Sequence, residues 1–187
     1  MDSTNSVTQI KSDLRKRFRA EREFLVVDSN WEHLLEASEV RRGLVIASYF
    51  SYGEEPNTRD LNQALISLGK KLLLPRLRDD KDLDWVIWSG RNEDLTSHGL
   101  VLEPVGDIYT GDIDVVIVPA LHVDRQGNRL GQGGGSYDRA LARTSAWKVA
   151  LVYPGELTSE DVPREVHDQR VDAAATTEIL VRFTEPN

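Results

Sequence analysis

The chain has 187 residues, 40% hydrophobic and 29% charged, which suits one ordinary globular domain spanning 1–187. A formal net charge of -8 excludes a globally basic nucleic-acid binder and leaves only a local basic patch open. The absence of cysteine excludes disulfides, iron–sulfur clusters, thiolate zinc sites and cysteine nucleophiles. Residues 1–24 are polar and charged, without the apolar segment of a secretory signal. Apolar runs such as 44–47 fall far short of the roughly 18–20 residues of a membrane span. The expectation is a cytoplasmic monomer that engages neither membrane nor nucleic acid.

Val7, Ile10, Leu14 and Phe18 recur at helical spacing and predict a helix over 5–27. Lys11, Arg15, Arg19 and Arg22 form a basic stripe beside it, which reads as a solvated face on spacing alone. Asn30 is a candidate cap for a second helix running to about 41. Residues 43–50 then form a short apolar run, as a strand buried on both faces does. Residues 51–58 read as a loop, with Asn57 or Thr58 capping a helix that ends near Gly69. Further strands are expected at 71–75, 83–88, 114–120, 147–153 and 177–183, with a charged turn at 77–83 and a helix at 136–145. Strands alternating with helices predict a single three-layer α/β domain, with a mainly parallel sheet and helices on both faces. Ligands of such sheets sit at the carboxyl ends of the strands, which directs attention to the loops at 50–58, 119–138 and 153–172.

Chemistry concentrates in Arg129, Leu130, Gly131, Gln132, Gly133, Gly134, Gly135, Ser136, Tyr137 and Asp138. Four glycines in five positions allow positive φ and close backbone approach, and exposed N–H groups ahead of a helix favour an anion such as phosphate. The loop has no Walker lysine, and Ser136 stands where a dinucleotide fingerprint has its third glycine. Asp138 is a hard oxygen ligand beside such a phosphate, with Asp168 a second carboxylate and Asp172 its competitor. The four histidines, His33, His98, His122 and His167, are scattered, which suits surface or structural roles. Trp31, Trp85, Trp88 and Trp147 read as core residues.

The stretch 118–131, followed by Gly133, Gly134, Gly135, Ser136, Tyr137, Asp138 and Arg139, closely resembles the signature of the 5-formyltetrahydrofolate cyclo-ligase family. Lys11 and Arg15, Phe50 with Glu55 and Thr58, the 74–76 and 103–104 pieces, and His167 with Asp168 follow in the family's order. The resemblance implies conversion of 5-formyltetrahydrofolate to 5,10-methenyltetrahydrofolate with MgATP, releasing ADP and phosphate through a phosphorylated formyl group. It implies ATP contacts at Lys11, Arg15 and 129–137, and catalytic roles for Arg129 and Tyr137. Phe50 and Glu55 match the folate positions, and Asp138 and Asp168 the Mg²⁺ ligands. Two departures stand out: Ser136 replaces a usual tyrosine, and Gly134 a lysine of some members. The alternative reading is an α/β protein of the same fold that binds a nucleotide or sugar phosphate without this activity.

Overall fold

The computed structural model describes residues 6–25 and 30–183. Helix α1 (Val7–Arg22) is capped by Ser6, whose hydroxyl accepts the Gln9 amide. The helix expected to reach 27 therefore ends at Arg22, and residues 26–27 lie outside the described residues. The single helix expected over 30–41 is two short ones, α2 (Glu32–Leu35) and α3 (Ser38–Arg42), because Ala37 between them is extended with ψ 136°.

The elements that follow are β1 (Val45–Ala47), α4 (Arg59–Ser67), β2 (Lys71–Leu77) and β3 (Leu83–Ile87). A hairpin of β4 (Leu95–His98) and β5 (Val101–Pro104) precedes β6 (Val115–Pro119). Next come β7 (His122–Asp124), β8 (Arg129–Leu130), α5 (Ser136–Ala142) and β9 (Trp147–Leu151). The last strands are β10 (Leu157–Thr158), β11 (Ala173–Ala175) and β12 (Leu180–Arg182).

Seven strands form the central sheet in the order β12-β11-β9-β6-β1-β2-β3. The five inner strands run parallel, and β3 and β12 close the two edges antiparallel. Alternate residues supply two cores. Ile46, Ile117 and Leu151 pack with Leu34, Val40, Leu61 and Leu65 of α2–α4 on one face. Ala47, Val116, Val118 and Ala150 pack with Ala140 and Leu141 of α5 on the other. Covered on both faces, these strands need no polar alternation, so the sequence shows apolar runs.

Three features escaped the sequence. Strand β11 is Ala-Ala-Ala, a poor strand former held by its neighbours. The β4–β5 hairpin has a largely exposed first strand. A small sheet, β10-β7-β8, has strands too short to carry a period. Helix α1 lies on that small sheet and not on the main one: Phe18 packs with Leu121, Leu130 and Val162. The expected apolar stripe is therefore buried only toward its C-terminal end, and Val7 and Ile10 stay exposed. Among the described residues no helix is long and apolar enough to cross a membrane.

Candidate active site

A cleft of about 310 Å³ opens at the carboxyl ends of the parallel strands. Its walls are α1, the loop after β1, the glycine loop between β8 and α5, residues 165–168 and the β4–β5 hairpin. All three loops singled out from the topology reach it.

The glycine loop is braced from outside by the basic stripe of α1. Arg15 Nε donates to the Gly131 carbonyl at 2.9 Å. Gly133 has φ +106°, and a Cβ there would lie 3.3 Å from the Arg15 guanidinium, so the close approach requires glycine. Arg19 donates to both the carbonyl and the side-chain oxygen of Gln132. Arg22 is buried in a two-pronged ion pair with Glu156, at 2.7 and 2.9 Å, and also donates to the Ala120 carbonyl. This stripe is a docking face, which corrects its reading as a solvated one: tertiary partners from three loops consume the charges.

Lys11 makes the correction plainest. It is 4% exposed, and its Nζ lies 2.9 Å from Glu165 Oε2 and 2.5 Å from Asp168 Oδ2. Burial pushes the Asp168 carboxyl up, but the Lys11 ammonium and the Glu165 amide outweigh it and hold the group below its ordinary range. An ammonium has three N–H donors, so one remains for a ligand in the cleft.

Arg129 is buried on the opposite wall. It donates to the Pro119 carbonyl at 3.0 Å and to Asp138 Oδ1 at 3.3 Å. Its Nε is buried without a partner among the described residues. Asp138 Oδ1 also accepts the Gln169 amide at 3.0 Å. Tyr137 sits under the Arg129 guanidinium, 5.8 Å from ring centre to Cζ, and edge-on to Trp85. Burial, with the Glu55 charge added, pushes its hydroxyl far up, so it stays a neutral donor. Ser136, Gly134 and Gly135 line the cleft beside it. Leu130 does not: its side chain is fully buried with Phe18 and Leu121, so only its backbone belongs to the loop.

The loop after β1 supplies the other half. Phe50 is buried at the strand end, edge-on to Trp88 at 5.8 Å with Arg59 over its ring. Glu55 is 7% exposed, and its Oε2 accepts the Tyr52 amide at 3.2 Å. Burial pushes its carboxyl up to about 7, against the opposing pull of the Tyr52 amide, Arg22 and Gln132. Thr58 is the cap residue of α4 as expected, but its hydroxyl makes no capping bond: it donates to the Tyr49 carbonyl at 2.6 Å and accepts the Ser51 amide, which fixes the loop. Asn57, one residue before, accepts the Arg59 amide.

Other residues of this cleft were not foreseen as site residues. The hairpin contributes His98, Val101, Leu102 and Glu103, with Glu103 Oε1 held by the Leu77 amide at 2.9 Å. Glu165 and His167 line the cleft beside Asp168, and the three place ligand atoms within 4.8 Å of one another. His98 and His167 thus stand at the cleft and not on a remote surface. The available signal was the acid–imidazole–acid spacing at 165, 167 and 168 within one loop.

The three-layer α/β scaffold thus carries a groove with cations and exposed backbone on one wall and a buried carboxylate among aromatics on the other. Residues 6–177 match the model of the 5-formyltetrahydrofolate cyclo-ligase family, and the chain belongs to that family. A 5-formyltetrahydrofolate cyclo-ligase of Mycolicibacterium smegmatis is 37% identical over 136 residues, 67% of this chain and 70% of the relative. One from Haemophilus influenzae is 29% identical over 178 residues, 89% of this chain and 95% of the relative. The solved structure of the Aquifex aeolicus 5,10-methenyltetrahydrofolate synthetase superimposes with a TM-score of 0.80 at 26% identity, covering 95% of both chains.

Proposed function

We propose that the cleft converts 5-formyltetrahydrofolate to 5,10-methenyltetrahydrofolate while ATP is cleaved to ADP and phosphate. The observation that carries this reading is the convergence on one groove of Lys11, Arg15, Arg129 and the 131–135 backbone, opposite the buried Glu55. The first set suits a polyphosphate. Glu55 suits the amino and ring N–H donors of a pterin, with Phe50 as an apolar contact.

An amide-like formyl oxygen is a poor leaving group. Transfer of the γ-phosphoryl group to that oxygen releases ADP and makes the formyl carbon electrophilic. N10 of the folate then attacks the carbon and loses its proton, and phosphate departs with the electrons of the C–O bond. The protein's share is position and charge. Lys11, with its third N–H, and Arg15 hold the nucleotide phosphates. Arg129, desolvated and with Nε unspent, stabilises charge on the moving phosphoryl group. Tyr137 donates a neutral hydrogen bond beside it.

Asp138 and Asp168 fit Mg²⁺. Each has one oxygen engaged by protein donors and the other without a hydrogen bond among the described residues. Mg²⁺ is commonly held by one or two carboxylates plus phosphate oxygens, and when bound it neutralises phosphate charge.

The test is absorbance of the methenyl product with ATP, Mg²⁺ and 5-formyltetrahydrofolate supplied together and each omitted in turn. Product is expected only with all three. Product without ATP, or none with the full mixture, overturns the reading. Nucleotide binding without turnover would return the chain to a phosphate-binding protein of the same fold.

A further inference from the structure

Gln132 is the one side chain among the five positions 131–135; the other four are glycines. The flanking positions disfavour a side chain: a Cβ on Gly131 would lie 2.7 Å from Arg129 Nη1, and Gly133 has φ +106° with Arg15 3.3 Å from a Cβ there. At Gln132 a side chain is present, and it turns toward two cavities. It lines the cleft and also a neighbouring cavity of about 440 Å³ between α1 and the 52–55 loop, and Glu55 and Tyr52 line both as well.

The amide has one chemically permitted orientation. Arg19 Nε and Nη2 approach Gln132 Oε1 at 3.0 and 2.8 Å, and a guanidinium can only donate. The amide oxygen is therefore committed to α1. The amide nitrogen, a donor only, is left for the cavity side, where Glu55, whose carboxylate accepts only, lines the same two cavities. Glu55 Oε2 already takes the Tyr52 amide, which leaves the carboxylate room for a side-chain donor from Gln132.

We propose that Gln132, locked by Arg19, is a positioning residue that aims the Glu55 carboxylate into the cleft and so ties the nucleotide wall to the folate wall. This rests on the reading of Glu55 as the pterin acceptor. The backbone of residue 132 belongs to the phosphate loop while its side chain serves the other substrate. Docking of α1 then affects both halves of the reaction. The groups facing Glu55 are Arg22 of α1, Tyr49 after β1, Tyr52 of its own loop, Tyr137 of α5 and Tyr153 after β9. Arg22 is the one cation among them and already belongs to Glu156, so neutral donors, the Tyr52 amide and Gln132, support the anion.

The experiment uses the full chain and three variants, Gln132→Glu, Gln132→Met and Arg19→Met. Gln132 and Arg19 are exposed, so folding is not at issue, and thermal melts check this. The first readout is the titration midpoint of Glu55, followed without substrates by NMR of carboxyl-labelled glutamate. The second is the Michaelis constants for folate and ATP across pH. Gln132→Glu keeps the shape but sets a second carboxylate beside Glu55, and should move the midpoint upward most. Gln132→Met and Arg19→Met should move it less, in the same direction. In the two methionine variants the folate KM should rise roughly tenfold near neutral pH, with the ATP KM moved less; Gln132→Glu, which adds a charge to the phosphate loop, is read by the midpoint alone. Raising the pH above the new midpoint should recover much of the folate KM, a rescue that a merely structural defect would not show. An unmoved midpoint in both Gln132 variants, or a rise confined to the ATP KM, overturns the proposal. A moved midpoint with unmoved folate KM supports the Arg19–Gln132–Glu55 link and instead removes Glu55 from the folate site.

Discussion

Glu55 is held where the fold favours its proton. Its folded pKa of about 7 lies above the ordinary 4.5, chiefly through burial. Its ionisation therefore costs stability as pH rises through 7, and the cost is absent below the unfolded value. Glu55→Gln should raise the melting temperature at about pH 8, by on the order of 2 kcal/mol of stability, and change nothing near pH 4. The same variant should raise the folate KM about 5- to 150-fold at the higher pH and leave the ATP KM nearly unchanged. The penalty should shrink toward pH 6, where the wild type is itself mostly protonated. Thermal melts and the two constants check this. Equal stability at pH 8 would mean that the carboxyl is not raised, and a rise in the ATP constant alone would separate Glu55 from the folate site. Such a group is legible in the sequence as an acid in a loop. Its raised proton affinity is not, because that comes from burial, which only the folded chain creates.

At the scale of elements, α1 is the least expected piece. Its apolar stripe covers only a small sheet, and its basic stripe clamps the glycine loop and the 153–156 turn. Arg22 and Glu156 are both buried, so their pair lacks solvent screening. Arg22→Met leaves the Glu156 carboxylate inside with, among the described residues, only the Tyr153 amide as partner, and should cost about 3–5 kcal/mol. Replacing Glu156 by Gln in the same chain should recover a large part, since the unpaired charge is then gone. Urea unfolding of the single and double variants measures this. A loss below about 1 kcal/mol for Arg22→Met would mean that water reaches Glu156 and that α1 is held mainly by Phe18. Helical spacing showed both stripes. It could not show which one docks, because the partners lie about a hundred or more residues further along the chain.

For the whole molecule, the net charge of -8 does not empty the cleft of cations. Lys11, Arg15 and Arg129 line it together with Glu55, Glu103, Asp138, Glu165 and Asp168, and Arg19 and Arg22 stand at the neighbouring cavity. At the far edge of the sheet, Arg182 of β12 grips Glu39 of α3 with two hydrogen bonds of 2.8 and 2.7 Å. The Arg182 guanidinium holds the Glu39 carboxyl down at about 2. Its contribution is therefore complete above the ordinary value of 4.5 and is lost as pH falls through 2. Both groups are partly solvated, so Glu39→Gln should cost only about 1 kcal/mol at neutral pH and low salt. The loss should shrink in about 1 M salt and vanish near pH 2. Melting curves under these conditions decide it, and an equal loss at pH 2 would assign the effect to packing.

The sequence by itself determined the scaffold and the loop that lines the cleft. Apolar runs at 44–50, 71–75, 114–120 and 147–153 demanded a sheet covered on both faces, and four glycines in five positions left backbone open to close approach. Both are local properties, written in consecutive residues. Only the tertiary structure decided that Lys11 lies between Glu165 and Asp168, that the β4–β5 hairpin closes one side of the cleft, that Leu130 turns into the core, and that Gln132 and Glu55 line the same two cavities. Each joins elements far apart in the chain, and a side chain's charge or spacing says nothing about which distant partner consumes it.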